Sequence, residues 1–409
     1  MARILVLTPQ LPWPPQQGTS LRNYHLLRAL AQHHEVTLLS MAETDRPPDT
    51  ARLSDLVRVL PPIPVPARPT NLRLRQLLTT RQPDMALRLR SAIFAEALRA
   101  ELEVRRYDAV QIEGIELAWA IPFIRNASAA RIVIDCHNAE TELQRRAFRS
   151  DMTHPARWPA ALYSGIQIGR LKRFESEALQ AADARIAVSE EDAAILADLI
   201  DEPSTLGVAV IPNTIDVAEY RWEGPVTDST RFDLVFTGKM DYRPNVDAVL
   251  WFAEAIWPRI IERRPGTTWA IVGQRPHSRL EPLRRLPGVT LTGRVEQVQP
   301  YLAGAAVYVM PLRVGSGTRL KVLESMSAGC AVVATSIAVE GFAVQDGNEA
   351  VLTDTPETFA AAVLELLDDP QRSAEMGRRA RSFAAQYDWR QVAPLLDSVY
   401  ARVLADEAD

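Results

Sequence analysis

Short apolar runs recur along the chain, with turn residues at their ends and amphipathic stretches between them. Arg3 to Thr8 is nearly continuous in apolar character, as expected for a parallel strand buried on both faces. A Pro- and Gly-rich loop follows to Gly18, and then a helix from about Thr19 with Leu21, Leu26, Leu27 and Leu30 on one face. Further strands are predicted at 35–39, 108–112, 131–135, 184–188 and 207–211, where Pro212-Asn213 makes a turn. The same grammar restarts with strands at 233–237, 268–272, 289–292, 306–310 and 331–334. Two successive sets of alternating strands and helices predict an α/β fold with two doubly wound, Rossmann-like domains. The expected boundaries are 1–215 for the first domain, 216–385 for the second and 386–409 for a closing helix. In such sheets ligands bind at the carboxyl ends of the strands, so the site is expected between the two domains.

The rhythm breaks at about 52–106. From Arg52 to Arg106 there are eleven Arg against five acidic residues, and Pro61, Pro62, Pro64, Pro66 and Pro69 read as an irregular connector. Two stretches, Asn71 to Leu78 and Met85 to Phe94, mix Leu and Arg at helical spacing. Either the Arg stems cover apolar surface on a solvated face, or the face touches anionic lipid or a lipid-linked molecule.

A chain of 409 residues exceeds one small core. The 47% hydrophobic and 24% charged composition is that of an ordinary globular protein, and a net charge of −5 argues against general nucleic-acid binding. Two cysteines, Cys136 and Cys330, make neither a disulfide framework nor a zinc pattern, which suggests a reducing compartment. No apolar run approaches a spanning helix, and the first residues are too short an apolar run for a signal peptide. A cytoplasmic location is expected, with the inner face of the membrane as an option. Only three lysines occur, Lys172, Lys239 and Lys321, and two of them lie in loops that look like ligand loops.

The most informative stretch runs from Gly315 to Gly329. Gly315 and Gly317 let backbone pass close to a ligand, and the helix that opens after Ser316, Gly317 and Thr318 carries Arg319, Lys321 and Glu324. Free N–H groups and two cations suit phosphate oxygens. A carboxylate one turn further in suits sugar hydroxyls. Together they indicate a nucleoside diphosphate with its ribose toward Glu324.

Other candidates sit at predicted strand ends. Gly238 with Lys239 and Arg243 offers a second cationic arm; the plain alternative is a turn capped by Asn245 or Asp247. Gly18 can present its N–H to the same phosphates, or Thr19 simply caps a helix. His137, with Asn138 beside it, can meet a sugar hydroxyl or developing charge, or is simply a capping or core-satisfied histidine; Glu113, after the strand ending at Ile112, lies at the same sheet edge and can face an acceptor. Gly293, Arg294 and Val295 end a strand where backbone can meet a nucleobase edge. There is no Asp-x-Asp pair and no His/Glu metal spacing, so a leaving diphosphate would be met by Arg319, Lys321, Lys239 and helix N-termini without metal or cofactor.

These parts, in this order along nearly the whole chain, resemble the retaining family 4 glycosyltransferases (glycosyl transferases group 1) of GT-B fold. The resemblance rests on Gly18, His137, Pro212 to Asp216, Gly238, Gly293, the Glu324 helix with Ala328-Gly329, and the closing Tyr387-Asp388-Trp389. It implies two facing Rossmann-like domains and a last helix crossing back to the first, acceptor-side domain. It also implies a nucleoside-diphosphate sugar donor held mainly by the second domain. The diphosphate would lie near Lys239 or Arg243 and near Arg319 and Lys321, the ribose on Glu324, and His137 beside the transferred sugar. A saccharide or lipid-linked acceptor in exopolysaccharide or cell-surface glycan synthesis is the expected context. One position departs from the family pattern, which has a Glu eight residues before Glu324; here it is Ser316. That leaves the donor sugar open, and with it two alternatives: a nucleotide-sugar epimerase of the same fold, and a catalytically silent binding subunit.

Overall fold

A computed structural model describes the chain except residues 16–17, 44–49, 153–157, 201–206, 315–317 and 406–409, and the side chain at 150. Gly315, Ser316 and Gly317 therefore lie outside the described residues. The chain divides into two units, Met1–Asn213 with Val392–Asp409, and Thr214–Gln391.

The first unit is built on β1 (Arg3–Thr8), β2 (Glu35–Ala42), β3 (Arg58–Val59), β4 (Ile63–Pro64), β5 (Ala109–Glu113), β6 (Arg131–Cys136), β7 (Ala184–Ala187) and β8 (Val208–Val210). The order is β3-β2-β1-β5-β6-β7-β8, with β4 also paired to β2, and the pairings are parallel. Side-chain alternation divides β1 between two cores. Leu5 and Leu7 join one, while Ile4 and Val6 join the other beside Leu26, Leu27 and Leu30 of helix Gly18–His33. That second core also takes Val392, Leu396, Val399, Tyr400 and Val403 from helix Trp389–Ala405, whose spacing brings them onto one face.

The second unit has β9 (Phe232–Thr237), β10 (Trp269–Val272), β11 (Val289–Gly293), β12 (Ala305–Met310), β13 (Ala331–Ala334) and β14 (Val351–Leu352), in the order β11-β10-β9-β12-β13-β14, all parallel. Each sheet thus reverses its winding beside its first strand, at β1/β5 and at β9/β12. Ligand crevices of open parallel sheets form at such points.

The Pro-rich connector is less irregular than its composition suggests. Ile63–Pro64 adds to β2 opposite Met41 and Ala42, and Arg58–Val59 pairs opposite Thr37 and Leu38. Pro64 ends its strand, where a missing N–H costs little. The Leu/Arg stretches form helices Thr70–Thr79, Asp84–Arg88 and Ala92–Val104. The first helix buries none of its residues, and its Leu74 and Leu78 are exposed. No helix among the described residues is long and apolar enough to cross a membrane.

Candidate functional site

Each unit brings charged residues together at its switch point. In the first, Glu113 ends β5 and Asp135 lies opposite it on β6, with His137 two residues on. Helix Gly18–His33 follows β1 and carries Arg22 and Asn23 to the same place. Arg22 grips Asp135 with two hydrogen bonds, Nε to Oδ2 and Nη2 to Oδ1, both 2.7 Å. Its Nη1 donates to the Ile211 carbonyl at 2.9 Å. Both partners are fully buried. Burial alone would raise the Asp135 pKa, but the guanidinium outweighs it and holds the carboxyl below its ordinary range.

His137 Nε2 lies 3.1 Å from Glu113 Oε2 and 3.8 Å from Asp135 Oδ2. Burial opposes its charged form, but the hydrogen bond to Glu113 and the nearby carboxylates raise its pKa overall. Burial and the Asp135 charge push Glu113 upward. The Asn23 amide nitrogen, in the orientation that satisfies both groups, donates to Glu113 Oε2 at 2.9 Å and to the Thr19 carbonyl at 3.1 Å. Gln111 Nε2 donates to Glu113 Oε1. Glu113 and His137 are thus brought together, whereas Asn138 turns to Glu140 Oε1 at 3.0 Å. Gly18 is the exposed first residue of its helix, one position ahead of the expected start.

Glu113, Asp135 and His137 also present three ligand-type atoms within 4.8 Å of one another. The donor set does not suit a metal ion. Arg22 already occupies both Asp135 oxygens, Glu113 is engaged by Gln111, Asn23 and His137, and a fixed guanidinium charge opposes a second cation.

In the second unit, Gly238 follows β9 and Pro311 to Val314 follow β12, on the two sides of the switch point. Asn245 does not cap its helix. Its Nδ2 donates to the Lys239 carbonyl at 2.9 Å, and its Oδ1 accepts from Lys321 Nζ at 2.7 Å. Asp247 is bound by Arg313 at 2.8 Å, so the cap alternative fails for both residues; helix Arg243–Trp251 has no side-chain cap. Gly238 is required here: a Cβ on it would meet Asn245 Nδ2 at 2.7 Å and Lys321 Nζ at 2.8 Å, with φ at +155°. Behind it, a Cβ on Gly273 would lie 1.6 Å from the Gly238 carbonyl oxygen.

Lys321 Nζ lies 4.9 Å over the Phe236 ring. Burial lowers its pKa to about 8, with Arg319 acting the same way and Glu324 opposing. Glu324, one turn on along helix Leu320–Ala328, is pushed upward by burial despite Lys321 and a hydrogen bond from Tyr220. Arg319 is buried; its Nη1 pairs with Glu340 at 3.1 Å, and its Nη2 has no hydrogen-bond partner among the described residues. A buried guanidinium nitrogen left so is suited to an anionic ligand. Thr318 is half-buried beside it, Lys239 is half-buried, and Arg243 is exposed at its helix start. Gly293 closes β11 at φ +71°, followed by exposed Arg294 and half-buried Val295.

Sequence reasoning did not single out Arg22, Asn23, Gln111, Tyr220 or Glu340. Arg22 alone carried a signal, as a charge on a helix rich in leucine. Tyr220 lies 104 positions before Glu324, and no spacing links them.

Residues 17–219 match a family model described as Glycosyltransferase Family 4, and residues 231–369 match one described as Glycosyl transferases group 1. A phosphatidyl-myo-inositol mannosyltransferase of Mycolicibacterium smegmatis is 30% identical over 202 residues, 47% of this chain and 51% of that protein. An uncharacterized 44.6 kDa protein in the cps region of Klebsiella pneumoniae is 24% identical over 176 residues, 40% of this chain and 45% of that protein. The chain spans about half the length of the curated relatives it matches. Two solved structures share the fold. Sucrose-phosphate synthase from Thermosynechococcus elongatus has a TM-score of 0.70 at 18% identity, covering 99% of this chain and 100% of that one. HepE from Anabaena, in complex with UDP and glucose, has a TM-score of 0.64 at 14% identity, covering 98% and 100%.

Proposed function

This chain belongs to the group 1, family 4 glycosyltransferases of GT-B fold, and we propose that it moves a sugar from a nucleoside-diphosphate sugar to a hydroxyl acceptor, with retention at the anomeric carbon. The observation that carries this reading is the cradle around Lys321. An ammonium held by Asn245 against the opening at Gly238, one helical turn before Glu324, offers a cation for a diphosphate and a carboxylate for a ribose. The Arg319 nitrogen adds a second donor, with Lys239 and Arg243 at the neighbouring loop. These charges stabilise the leaving diphosphate electrostatically, without a metal. His137, held by Glu113, meets the transferred sugar. The acceptor hydroxyl attacks from the face the diphosphate leaves, and the leaving phosphate takes its proton. In the first unit Gly18 and Asn138 contact substrate, and in the second Gly293, Arg294 and Val295 meet the base. Thr318, beside Arg319, approaches the donor.

A UDP-sugar is the first donor to test, since HepE of the same fold holds UDP and glucose. A saccharide or lipid-linked acceptor in cell-surface glycan synthesis accords with the two curated relatives, one named for a phosphatidyl lipid and one from a cps region. The test is a panel of UDP-, GDP- and dTDP-sugars, with and without crude lipid acceptors, following nucleotide release and epimer formation. Release that depends on acceptor is expected. Epimer formation without acceptor would mean an epimerase, and binding without release under every condition would mean a silent subunit.

The acceptor reading extends to an anionic membrane surface at the inner face of the cytoplasmic membrane. Leu74 and Leu78 stand exposed beside Arg73 and Arg75 on helix Thr70–Thr79. Arg170 of helix Trp158–Ala181 donates to the Leu77 carbonyl at 2.9 Å, and the same helix exposes Trp158, Leu162 and Ile166 at four-residue spacing. Apolar side chains beside arginines suit the boundary of an anionic bilayer.

A further inference from the structure

The candidate histidine ends a line of buried side chains that begins on the last helix. The Tyr400 hydroxyl donates to Gln111 Oε1 at 2.5 Å, Gln111 Nε2 donates to Glu113 Oε1, and Glu113 Oε2 faces His137 Nε2 at 3.1 Å. Tyr400, Gln111 and Glu113 are each 0% exposed. Gln111 sits mid-strand in Ala-Val-Gln-Ile-Glu, among apolar neighbours. For stability alone an apolar residue there would serve as well, because a buried amide must be matched merely to offset its desolvation.

The line has a direction. A glutamine amide accepts at one end and donates at the other. A phenol donating to its oxygen turns the NH2 group toward Glu113. Glu113 must then accept at Oε1, and Asn23 adds a second donor at Oε2; these two donors favour the carboxylate against the burial and the Asp135 charge that push its pKa up. A carboxylate that faces His137 Nε2 requires a proton on that nitrogen. We propose that Tyr400 and Gln111 are positioning residues that act through Glu113 to hold His137 as the Nε2–H tautomer, leaving Nδ1 as the ring nitrogen that serves the sugar substrate. This rests on the reading of His137 as a site residue. It gives the final helix a task beyond covering the sheet, since its buried phenol sets the proton position of a side chain at the switch point.

The test is the tautomer itself. Long-range proton–nitrogen correlation spectra of histidine-labelled full-length protein, at a pH where His137 is neutral, separate Nε2–H from Nδ1–H rings; a His137→Asn variant assigns the signal. The wild type is expected to show His137 as Nε2–H. Tyr400→Phe, which removes one oxygen, and Gln111→Met are both expected to move it toward a tautomer mixture. Transfer rate should fall roughly three- to tenfold with donor KM within about twofold, the effect of one lost positioning hydrogen bond. A wild-type ring that is Nδ1–H overturns the proposal. So does an unchanged Nε2–H signal in both variants, even with a lowered melting temperature, because that is the mark of a purely structural role. The spectra need neither donor nor acceptor, so this outcome is separate from a failure of the transferase reading, which would show as no nucleotide release with any donor.

Discussion

Lys321 and Asn245 stand 76 residues apart in sequence, yet Nζ donates to Oδ1 at 2.7 Å. The contact crosses the switch point of the second sheet, tying the helix after β12 to the helix after β9. It fixes the ammonium where a glycine leaves room.

Removing that ammonium should weaken donor binding first. Lys321→Met is expected to lower affinity for a nucleoside diphosphate by about 10- to 100-fold, the scale of a lost hydrogen bond to a charged group. Isothermal titration measures it. Equal affinity in wild type and variant would remove Lys321 from the site.

Because burial brings the Lys321 pKa to about 8, donor affinity should fall as pH rises, by about tenfold between pH 7 and 9 in a phosphate-binding role. The sign for folding is opposite. The folded pKa lies below the ordinary value of 10.5, so the unfolded chain holds more protons between the two. Lys321 therefore adds stability as pH rises through that window. Melting curves with and without nucleotide separate the two effects.

Glu140 should impose a penalty that grows with pH. Burial and the nearby Glu116 raise its pKa to about 7 from 4.5, so the folded state holds the extra proton in between and loses that advantage as pH rises through 7. Glu140→Gln keeps an oxygen for Asn138 and should be more stable than wild type at pH 8, on the order of 2 kcal/mol, with little difference at pH 4. Urea titrations at both pH values check this.

Arg22→Met would leave Asp135 buried without its cation. A loss of about 3–5 kcal/mol is expected, read as a lower urea midpoint. Replacing both residues by apolar ones should recover part of it, because the pair's own desolvation disappears.

The two glycines should behave differently. Gly273→Ala would drive a methyl into the Gly238 carbonyl and should destabilise the second unit outright. Gly238→Ala would strain a backbone at φ +155° and press on Asn245 and Lys321, so donor affinity should fall along with the melting temperature. Unchanged affinity would show that the Gly238 loop is structural.

If the exposed apolar side chains meet lipid, the protein should float with phosphatidylglycerol vesicles and not with phosphatidylcholine ones, less so in high salt. Leu78→Glu with Leu162→Glu should abolish flotation while leaving nucleotide affinity intact.

Much of the fold was legible because buried parallel strands are local objects. Runs such as Arg3–Thr8 and Ala331–Ala334 declare themselves by continuous apolar character. Their repetition with helices between them implies doubly wound sheets. The weaker pieces, β3, β4 and β14, have two residues each and no periodicity to read. The helix with Lys321 and Glu324, opening after Arg319, was legible for the same reason: polar residues at a helix start are a short-range pattern. By itself, then, the sequence determined the class of fold and named candidate residues at the strand ends. Partnerships were decided only in three dimensions. Asn245 turned from cap to lysine holder, Tyr220 met Glu324, Arg22 gripped Asp135, and Tyr400 reached Gln111 across 289 positions. A buried polar group must be matched by whatever the fold brings within about 3 Å, and strand order, not distance along the chain, determines which residue that is.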